Sequence, residues 1–251
     1  MTTDRQHRPQ CGFDSVETSG SAIGYIVEPR SGGAAGAWAA TVVPTLSGVA
    51  GRAAAIIGLI LASLPMMLTA LIVWRELGLP IMFEQVRVGR DKQTFRLLKF
   101  RTMHDRRDAD GAVLPDAERE TSITRWLRRL RLDELPQLLA IAGGRMSFIG
   151  PRPLLPETIC SFGDLGTLRC SIRPGLTGWS QINGNTKLSD QEKLALDVWY
   201  IKNRDWFVDL KIIFGTIRML LIGETVDRHN LKEALDFVKE LMKHLDGDGD
   251  Q

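Results

Sequence analysis

The sequence predicts an α+β protein, mainly helical, in which a membrane helix precedes a compact domain built from short strands and amphipathic helices. Two observations lead to this prediction. Residues 53–74, AAAIIGLILASLPMMLTALIVW, carry no charge. From about residue 76 onward, short apolar runs alternate with polar turns. The chain has 251 residues, which is enough for one domain of ordinary size with extensions.

The uncharged run is bounded by Arg52 and Arg75, and as a helix it would reach ~33 Å, about the thickness of a bilayer core. A buried core helix is the alternative, which so long an uncharged run disfavours. Pro65 lies near the middle, where it removes a backbone hydrogen bond and predicts a kink. A kinked helix can enter and leave by the same face, whereas a straight one spans. Basic residues flank both ends, so charge does not choose between the two.

The chain divides into four predicted parts. Residues 1–50 are poor in apolar periodicity and predict a disordered arm, and residues 51–75 form the membrane helix. Residues 76–225 form the main domain. Within it, GLPIMFEQVRVGR and TFRLLKFRTM predict short extended or mixed segments, residues 118–141 a helix broken at Pro136, and residues 154–163 a short helix. The apolar stretch 206–223 carries three charges, so it is expected at the membrane interface or in the core.

The last part, residues 226–251, predicts an amphipathic helix followed by a tail. Its apolar residues step by four and three positions along one face, namely Leu231, Leu235, Val238, Met242 and Leu245. Such a stripe packs either against its own domain or against a second subunit, which makes a homodimer one possible assembly.

The overall charge excludes one class of partner. The chain has 32 Lys and Arg against 30 Asp and Glu, a net charge of +2. A general nucleic-acid binder usually has a strong basic excess, so no nucleic-acid partner is expected. The three cysteines lack the spacing of a zinc site.

Two adjacent acids, Asp133 and Glu134, stand in an apolar stretch just before Pro136. Neighbours on a helix point about 100° apart, but a kink at the proline would let both reach one metal or phosphate. An aspartate can attack phosphorus as a nucleophile, and a second acid can hold Mg²⁺. The alternative is a solvated acid pair that answers the nearby arginines.

Several cations are candidates for phosphate contact, because guanidinium groups match phosphate oxygens. They are Lys99, Arg101, Arg152 and Arg173. Pro151 and Pro153 fix the backbone around Arg152, which suits either a rigidly presented side chain or a loop anchor. Upstream of the acid pair, a basic face with one tryptophan could lie on anionic headgroups or simply be exposed; it comprises Arg125, Trp126, Arg128, Arg129 and Arg131.

Six segments occur in an order that is specific in combination: KFRTM, LDELPQLL, MSFIGPRP, RPGLTGWSQINGN, LDVWYIKN and DLKII. In these the chain resembles the bacterial sugar transferases, and in particular the monotopic phosphoglycosyl transferases in their minimal single-domain form. The resemblance runs from about Arg52 to Gly223.

The resemblance implies a reaction. Such enzymes move a sugar-1-phosphate from a UDP-sugar to a polyprenol phosphate, usually undecaprenyl phosphate, release UMP and so begin a glycan such as an exopolysaccharide. It implies a monotopic protein of the inner (cytoplasmic) membrane that contacts membrane lipid, with a cytoplasmic catalytic domain and downstream glycosyltransferases as partners. It also implies a re-entrant membrane helix that breaks at Pro65.

The resemblance also implies residue roles. Asp133 is expected to be the nucleophile that forms a covalent phosphosugar intermediate, and Glu134 is linked to binding of the cofactor Mg²⁺, with Asp133 beside it. Arg152, Asp209 and Gln181 join the candidate substrate-binding residues.

Three departures from the family pattern stand out. Arg131 occupies a position where a serine is common, Ala55 one where an acid is common, and Asn183–Thr186 reads NGNT in place of Asn-Gly-Arg-Asn. They leave open an inactive membrane-anchored scaffold for glycan-assembly enzymes. A transferase that passes on the sugar alone, with UDP as its product, is a further alternative.

Overall fold

The structure, a computed structural model, describes residues 14–16, 24–26 and 48–247. Two three-residue strands, β1 (Asp14–Val16) and β2 (Gly24–Ile26), pair antiparallel. The rest of the arm predicted to be disordered, up to residue 47, lies outside the described residues, as do the last four residues of the tail.

A bent pair of helices occupies the uncharged run. Helix α1 (Val49–Leu61) and helix α2 (Ser63–Leu77) meet at Ala62 with a bend of 58°. Pro65 lies in the first turn of α2, where its missing N–H would have no helical partner in any case. Its ring excludes a continuous helix through the preceding turn, so the chain breaks upstream of the proline. The kink predicted from Pro65 is present, but its centre is Ala62.

The outer face of this pair is apolar and exposed. No single helix among the described residues is long and apolar enough to cross a bilayer, whereas the bent pair meets the length and composition criteria together. Ala55, Thr69 and Val73 form its buried side. The exposed side carries Ile56, Ile57, Ile60, Leu61, Leu64, Met67, Leu68, Leu71 and Trp74. This surface is not covered by the described part of the protein.

A hairpin follows the bent pair, as the two extended segments predicted. Strands β3 (Met82–Val88) and β4 (Thr94–Phe100) pair antiparallel from Met82 opposite Phe100 to Val88 opposite Thr94. Side chains alternate between the two faces of a strand, so every second residue of each strand shares a face. One face therefore carries Phe83, Gln85 and Arg87 on β3, with Phe95, Leu97 and Lys99 on β4.

The segment predicted as one helix from 118 to Pro136 is divided earlier. Short helix α3 (Asp116–Arg119) precedes α4 (Ser122–Arg129), which begins with a capping box between Thr121 and Thr124. The chain then turns at Arg131, a non-glycine residue in the left-handed region with φ 58°, and forms a 3-10 helix, Leu132–Gln137, before α5 (Leu138–Ala142). The prediction of a helix break at Pro136 is therefore wrong. The backbone turns at Arg131 instead, and the 3-10 helix accommodates the proline.

The basic face of α4 is partly neutralised. Glu120 accepts from Arg125 at 2.8 Å and from Arg128 at 3.0 Å, and Trp126 is exposed beside them. The contact of this face with headgroups stays a prediction.

A parallel strand pair follows the acid pair in the chain. Strands β5 (Ser147–Ile149) and β6 (Gly175–Thr177) are joined by α6 (Pro156–Ser161) and α7 (Gly163–Arg169). A Cβ on Gly175 would lie 2.1 Å from the backbone nitrogen of Gly150, so only glycine fits. The close backbone approach that the PGLTGW glycines permit is thus made to Gly150.

The last third of the chain is helical. It comprises α8 (Trp179–Ile182), a 3-10 turn (Asn185–Lys187), α9 (Asp190–Asn203), α10 (Trp206–Ile222) and α11 (Arg228–Gly247). Leu231, Leu235 and Val238 of α11 pack into a core that includes residues of α9. Of the two predicted ways to bury the apolar stripe, this is packing against its own domain. Helix α10 leaves a row of apolar residues exposed, among them Trp206, Phe207, Phe214, Leu221 and Ile222.

One buried ion pair ties these layers together. Arg169 at the end of α7 donates to Asp197 of α9 from Nε at 2.9 Å and from Nη2 at 2.7 Å, and both side chains are less than 5% exposed. Arg169 Nη2 also donates to the backbone carbonyl of Arg152 at 2.5 Å. The pair therefore fixes the loop after β5 as well as two helices.

Asp197→Asn should destabilise the protein by about 3–5 kcal/mol, because it leaves the buried guanidinium without a compensating charge. Urea unfolding of the purified protein in detergent measures this change. Glu84→Gln is the matched control, since it breaks an exposed ion pair with Arg96 and should cost at most about 1 kcal/mol. Equal losses in the two variants would contradict a structural role for the buried pair.

Candidate active site

The 3-10 helix buries both members of the acid pair. Asp133 and Glu134 are each 6% exposed, in the turn that follows the left-handed Arg131. The solvated acid pair is therefore excluded, because carboxylates are rarely buried without partners or a function. The two side chains have different partners, and this difference defines the site.

Glu134 is held by two arginines. Its Oε1 accepts from Nη2 of Arg152 at 2.7 Å, and Nη1 of Arg131 lies 3.2 Å from Oε1 and 3.3 Å from Oε2. Burial raises the pKa of Glu134, but the charges and hydrogen bonds of Arg152 and Arg131 outweigh it and bring the pKa below its usual range. Glu134 is therefore a fixed anion at neutral pH.

Asp133 is not held in this way. None of the ion pairs formed by the described residues includes it. Burial, and then the charge of Glu134, raises the pKa of Asp133 to about 6, against the opposing charges of Lys99 and Arg128. A carboxylate with this pKa is ionised at neutral pH, and because it is poorly solvated its oxygen is available to react.

A small cavity of about 30 Å³ lies next to Arg152, which contacts Glu134, and three of the side chains that line it are cations, Arg87, Lys99 and Arg152. The Lys99 ammonium lies 5.1 Å from the centre of the Phe83 ring. Burial lowers the pKa of Lys99, and burial followed by the charge of Arg152 lowers the pKa of Arg87 to about 10. These three cations lie close together with limited access to water. A bound anion such as phosphate would therefore stabilise them.

Arg87 is a candidate that the sequence interpretation missed. Its Nη2 donates to Oε1 of Gln85 at 2.6 Å, and its buried Nε has no hydrogen-bond partner among the described residues. A signal was available in the sequence: Lys99 is already a candidate, and the period-two alternation of a paired hairpin places Arg87 on the same face.

Arg152 is held through its backbone and contacts the acid pair through its side chain. Arg169 holds its backbone carbonyl, and its guanidinium contacts Glu134 while it lines the cavity. Of the cations proposed from sequence, Lys99 and Arg152 are thus brought together beside the acid pair.

The other candidates have different contacts. The guanidinium of Arg101 donates to the carbonyls of Leu77 and Gly78 at 2.5 and 2.7 Å, where it closes the end of α2. Asp209 accepts from the hydroxyl of Tyr200 at 2.6 Å, and Nε2 of Gln181 donates to the carbonyl of Leu176 at 3.1 Å.

These contacts give Arg101, Asp209 and Gln181 structural roles, and their predicted substrate contacts stay predictions. The predicted phosphate contact of Arg173 also stays a prediction. Its backbone carbonyl lies against Gly150.

The acid pair can be tested for its fit to Mg²⁺. No group of three or more His, Cys, Asp or Glu side chains that could hold a metal is found in the described part of the chain. Mg²⁺ is commonly held by one or two carboxylates together with substrate phosphates and water. Asp133 and Glu134 fit that mode, and they do not form a complete protein cage.

The departures from the family pattern have local explanations. Ala55 is fully buried against a cluster that includes Leu138 and Ile141, where an acid would be desolvated. Arg131 points into the site, where it contacts Glu134. The NGNT segment is bound by Glu224, which accepts from Asn185 and Thr186.

Comparison with known proteins identifies the family. A family model described as "Bacterial sugar transferase" matches residues 45–223. The chain is 43% identical over 177 residues to "Uncharacterized sugar transferase EpsL" of Bacillus subtilis, covering 70% of this chain and 88% of the relative.

Two further relatives have more specific names. A "UDP-N-acetylgalactosamine-undecaprenyl-phosphate N-acetylgalactosaminephosphotransferase" of Aeromonas hydrophila is 37% identical over 178 residues, 68% of this chain and 42% of the relative. "Exopolysaccharide production protein ExoY" of Rhizobium meliloti is 35% identical over 182 residues, 66% of this chain and 80% of the relative. The match therefore spans most of EpsL and ExoY but less than half of the Aeromonas protein.

Arg101→Met should lower the stability by about 1.5–3 kcal/mol, because two helix-end carbonyls lose a charged donor. The kcat/KM of the folded enzyme should stay close to that of the wild type. Lys99→Met is the contrasting variant, with little loss of stability and kcat/KM lower by about tenfold or more. Thermal unfolding and steady-state kinetics measure both. A loss of kcat/KM in Arg101→Met as large as in Lys99→Met, at unchanged stability, would instead support the phosphate contact.

Proposed function

Because this chain belongs to the bacterial sugar transferase family, we propose that it transfers a sugar-1-phosphate from a UDP-sugar to undecaprenyl phosphate and releases UMP. The product is an undecaprenyl diphosphate sugar, the start of a glycan such as an exopolysaccharide. The similarity to relatives that are named as undecaprenyl-phosphate sugar phosphotransferases and exopolysaccharide proteins supports this proposal.

The observation that carries the proposal is the unequal environment of the adjacent acids. Glu134 is fixed by two arginines, while Asp133 is buried, ionised at neutral pH and outside any ion pair of the described residues. Environments that separate the roles of two neighbouring carboxylates are typical of catalytic pairs. Asp133 is accordingly the proposed nucleophile and Glu134 the fixed partner.

The first step is attack of an Asp133 carboxylate oxygen on the phosphorus that bears the sugar. A bond forms between this oxygen and phosphorus, and the bond from phosphorus to the bridging oxygen of the diphosphate breaks. UMP leaves with the bridging oxygen and its electron pair. The sugar phosphate remains on Asp133 as an acyl phosphate.

The second step returns the enzyme to its starting state. A phosphate oxygen of undecaprenyl phosphate attacks the same phosphorus, and the Asp133 carboxylate leaves. Because donor and acceptor visit the site in turn, one small phosphate site serves both. Lys99, Arg152 and Arg87 are the side chains that would stabilise the phosphate charge in each step.

We further propose Mg²⁺ as the cofactor, held by Glu134 and Asp133 together with the substrate phosphates. When bound, it would neutralise diphosphate charge and stabilise the leaving group. The protein's own contribution is to keep Glu134 ionised and oriented through Arg152 and Arg131, so that a carboxylate is ready at that place.

The bent pair α1–α2 is the proposed membrane anchor. Its exposed apolar face has no covering among the described residues, and its 58° bend suits a helix that enters and leaves through one leaflet. This gives a monotopic protein whose domain lies on the cytoplasmic side of the inner membrane, where UDP-sugars are available. The acceptor phosphate lies at the same surface.

Asp133→Asn should lower UMP release by at least about 10³-fold and abolish the phosphosugar adduct, because the amide is a poor nucleophile. A panel of UDP-sugars with undecaprenyl phosphate, read by UMP formation, and acid-quenched mass spectrometry of the protein measure these effects. Asp190→Asn, an exposed aspartate on α9, is the control and should behave as wild type. Near-normal turnover of Asp133→Asn would contradict the assignment of Asp133 as the nucleophile. Release of UDP would indicate transfer of the sugar alone, and an inert wild type would favour the scaffold.

The topology is tested with Arg30→Cys in a cysteine-free background. The proposed re-entrant anchor keeps residue 30 on the cytoplasmic side, so a membrane-impermeant thiol reagent should label it only after the cells are permeabilised. Arg96→Cys, exposed on the hairpin, is the cytoplasmic control. Labelling of residue 30 from outside intact cells would show that the helix spans the membrane.

A further inference from the structure

Glu224, just after α10, contacts both the loop 185–187 and Arg131. It follows α10 and lies one residue beyond the stretch that the family model matches. Its carboxylate accepts from the side chains of Asn185 and Thr186, and from the backbone N–H of Thr186 at 3.3 Å. The ammonium of Lys187 donates to its backbone carbonyl at 2.6 Å. The side chain of Glu224 is thus fixed by the loop that carries the NGNT segment.

Arg131 joins this carboxylate to the acid pair. Its Nη2 lies 3.8 Å from Oε1 of Glu224, and its Nη1 contacts both oxygens of Glu134 at 3.2 and 3.3 Å. The side chains of Arg131 and Glu224 are 22% and 24% exposed, so their charges are only partly screened by water. One guanidinium therefore bridges a carboxylate of the site and a carboxylate outside it.

The backbone of Arg131 is strained into this position. Its φ of 58° and ψ of 21° are left-handed, a conformation that is unfavourable for a residue with a side chain. Backbone strain persists where the surroundings over-determine it, and it is common at functional sites. Here Glu134 and Glu224, which both contact the guanidinium of Arg131, are the surroundings that hold the backbone in this conformation.

Glu224 is charged when it makes this contact. Burial raises the pKa of Glu224, but hydrogen bonds from Thr186 and Asn185 and the charge of Arg131 bring the pKa below its usual range. Glu134 is itself held by Arg152, and Glu224 gives the long side chain of Arg131 a second anchor outside the acid pair. Glu224 therefore sets the direction from which Arg131 approaches Glu134.

We propose that Glu224 is a positioning residue for the transferase reaction: it holds Arg131, and Arg131 holds Glu134 in the orientation that the reaction requires. This inference rests on the proposed function. It gives one explanation for two departures from the family pattern, since Arg131 and the NGNT segment share Glu224 as their partner. It also extends the functional unit past the matched region, to the second residue after α10.

The test is a double-mutant cycle with Arg131→Ser, Glu224→Gln and both together, assayed by UMP release. Loss of a side chain that orients a site carboxylate typically costs about 10–100-fold in activity, and this is the expected fall in kcat for Arg131→Ser. Glu224→Gln should lower kcat by about tenfold. Neither should much change the donor KM, because neither residue lines the phosphate cavity. Arg131→Lys should restore part of the lost kcat.

The decisive result is the double variant. If Glu224 acts through Arg131, Glu224→Gln has no further effect on kcat in the Arg131→Ser background. An equal fall in both backgrounds would show that Glu224 only fixes the loop 185–187, and would overturn the inference. So would a Glu224→Gln variant as active as the wild type.

Three controls complete the experiment. Glu192→Gln removes an exposed carboxylate with similar hydrogen bonds, in the capping box of α9, and should leave kcat unchanged. Melting temperatures of all variants separate loss of fold from loss of turnover, and Glu224→Asp, which keeps the charge, should retain more activity than Glu224→Gln. A wild type that releases no UMP refutes the proposed function and this inference together, whereas normal wild-type release with an unaffected Glu224→Gln refutes only the inference.

Discussion

The rest of the site depends on the buried ion pair between Arg169 and Asp197. Removing two charges from water is costly, and the attraction between them roughly balances that cost only with good geometry. Here Arg169 uses its fork on Asp197 and on the carbonyl of Arg152. The pair therefore contributes orientation more than net stability, since it fixes the backbone from which Arg152 reaches Glu134. A helix contact far from the acids in sequence thus determines how one of them is held.

The two acids illustrate how environment divides the roles of adjacent residues. They share a peptide bond and the same burial, and differ in partners: Glu134 receives two guanidinium groups, whereas Asp133 feels cations only at longer range. The tight 3-10 turn offsets the two side chains, so that Arg131 and Arg152 pair with Glu134 and not with Asp133.

The sequence predicted elements whose signals are local and missed contacts that depend on distant segments. Extended structure in the two hairpin segments and the apolar character of residues 206–223 were predicted, because alternation and apolar content are read within a few residues. The turn at Arg131 was missed, because no glycine marks it and contacts with two carboxylates stabilise it. Arg101 illustrates the same limit. As an arginine it was a candidate for phosphate contact, but its guanidinium donates to the carbonyls at the end of α2.

The acid pair itself could be assigned from sequence only through the family resemblance. Burial distinguishes it from a solvated pair, and burial comes from residues far along the chain. Glu224 could not have been selected at all, because one acid among thirty acquires meaning only when Asn185, Thr186 and Arg131 are seen around it.

The contact of Arg101 with α2 has a consequence for how the proposed reaction meets the membrane. Arg101 directly follows β4, and Lys99, two residues earlier, lines the phosphate cavity. Because the Arg101 side chain binds the last carbonyls of α2, the end of the proposed anchor and the cavity wall are joined over three residues. This joint places the proposed anchor and the phosphate cavity next to each other in the fold. In the proposed membrane arrangement, a lipid phosphate at the surface and a donor from water would then reach the same carboxylate in turn.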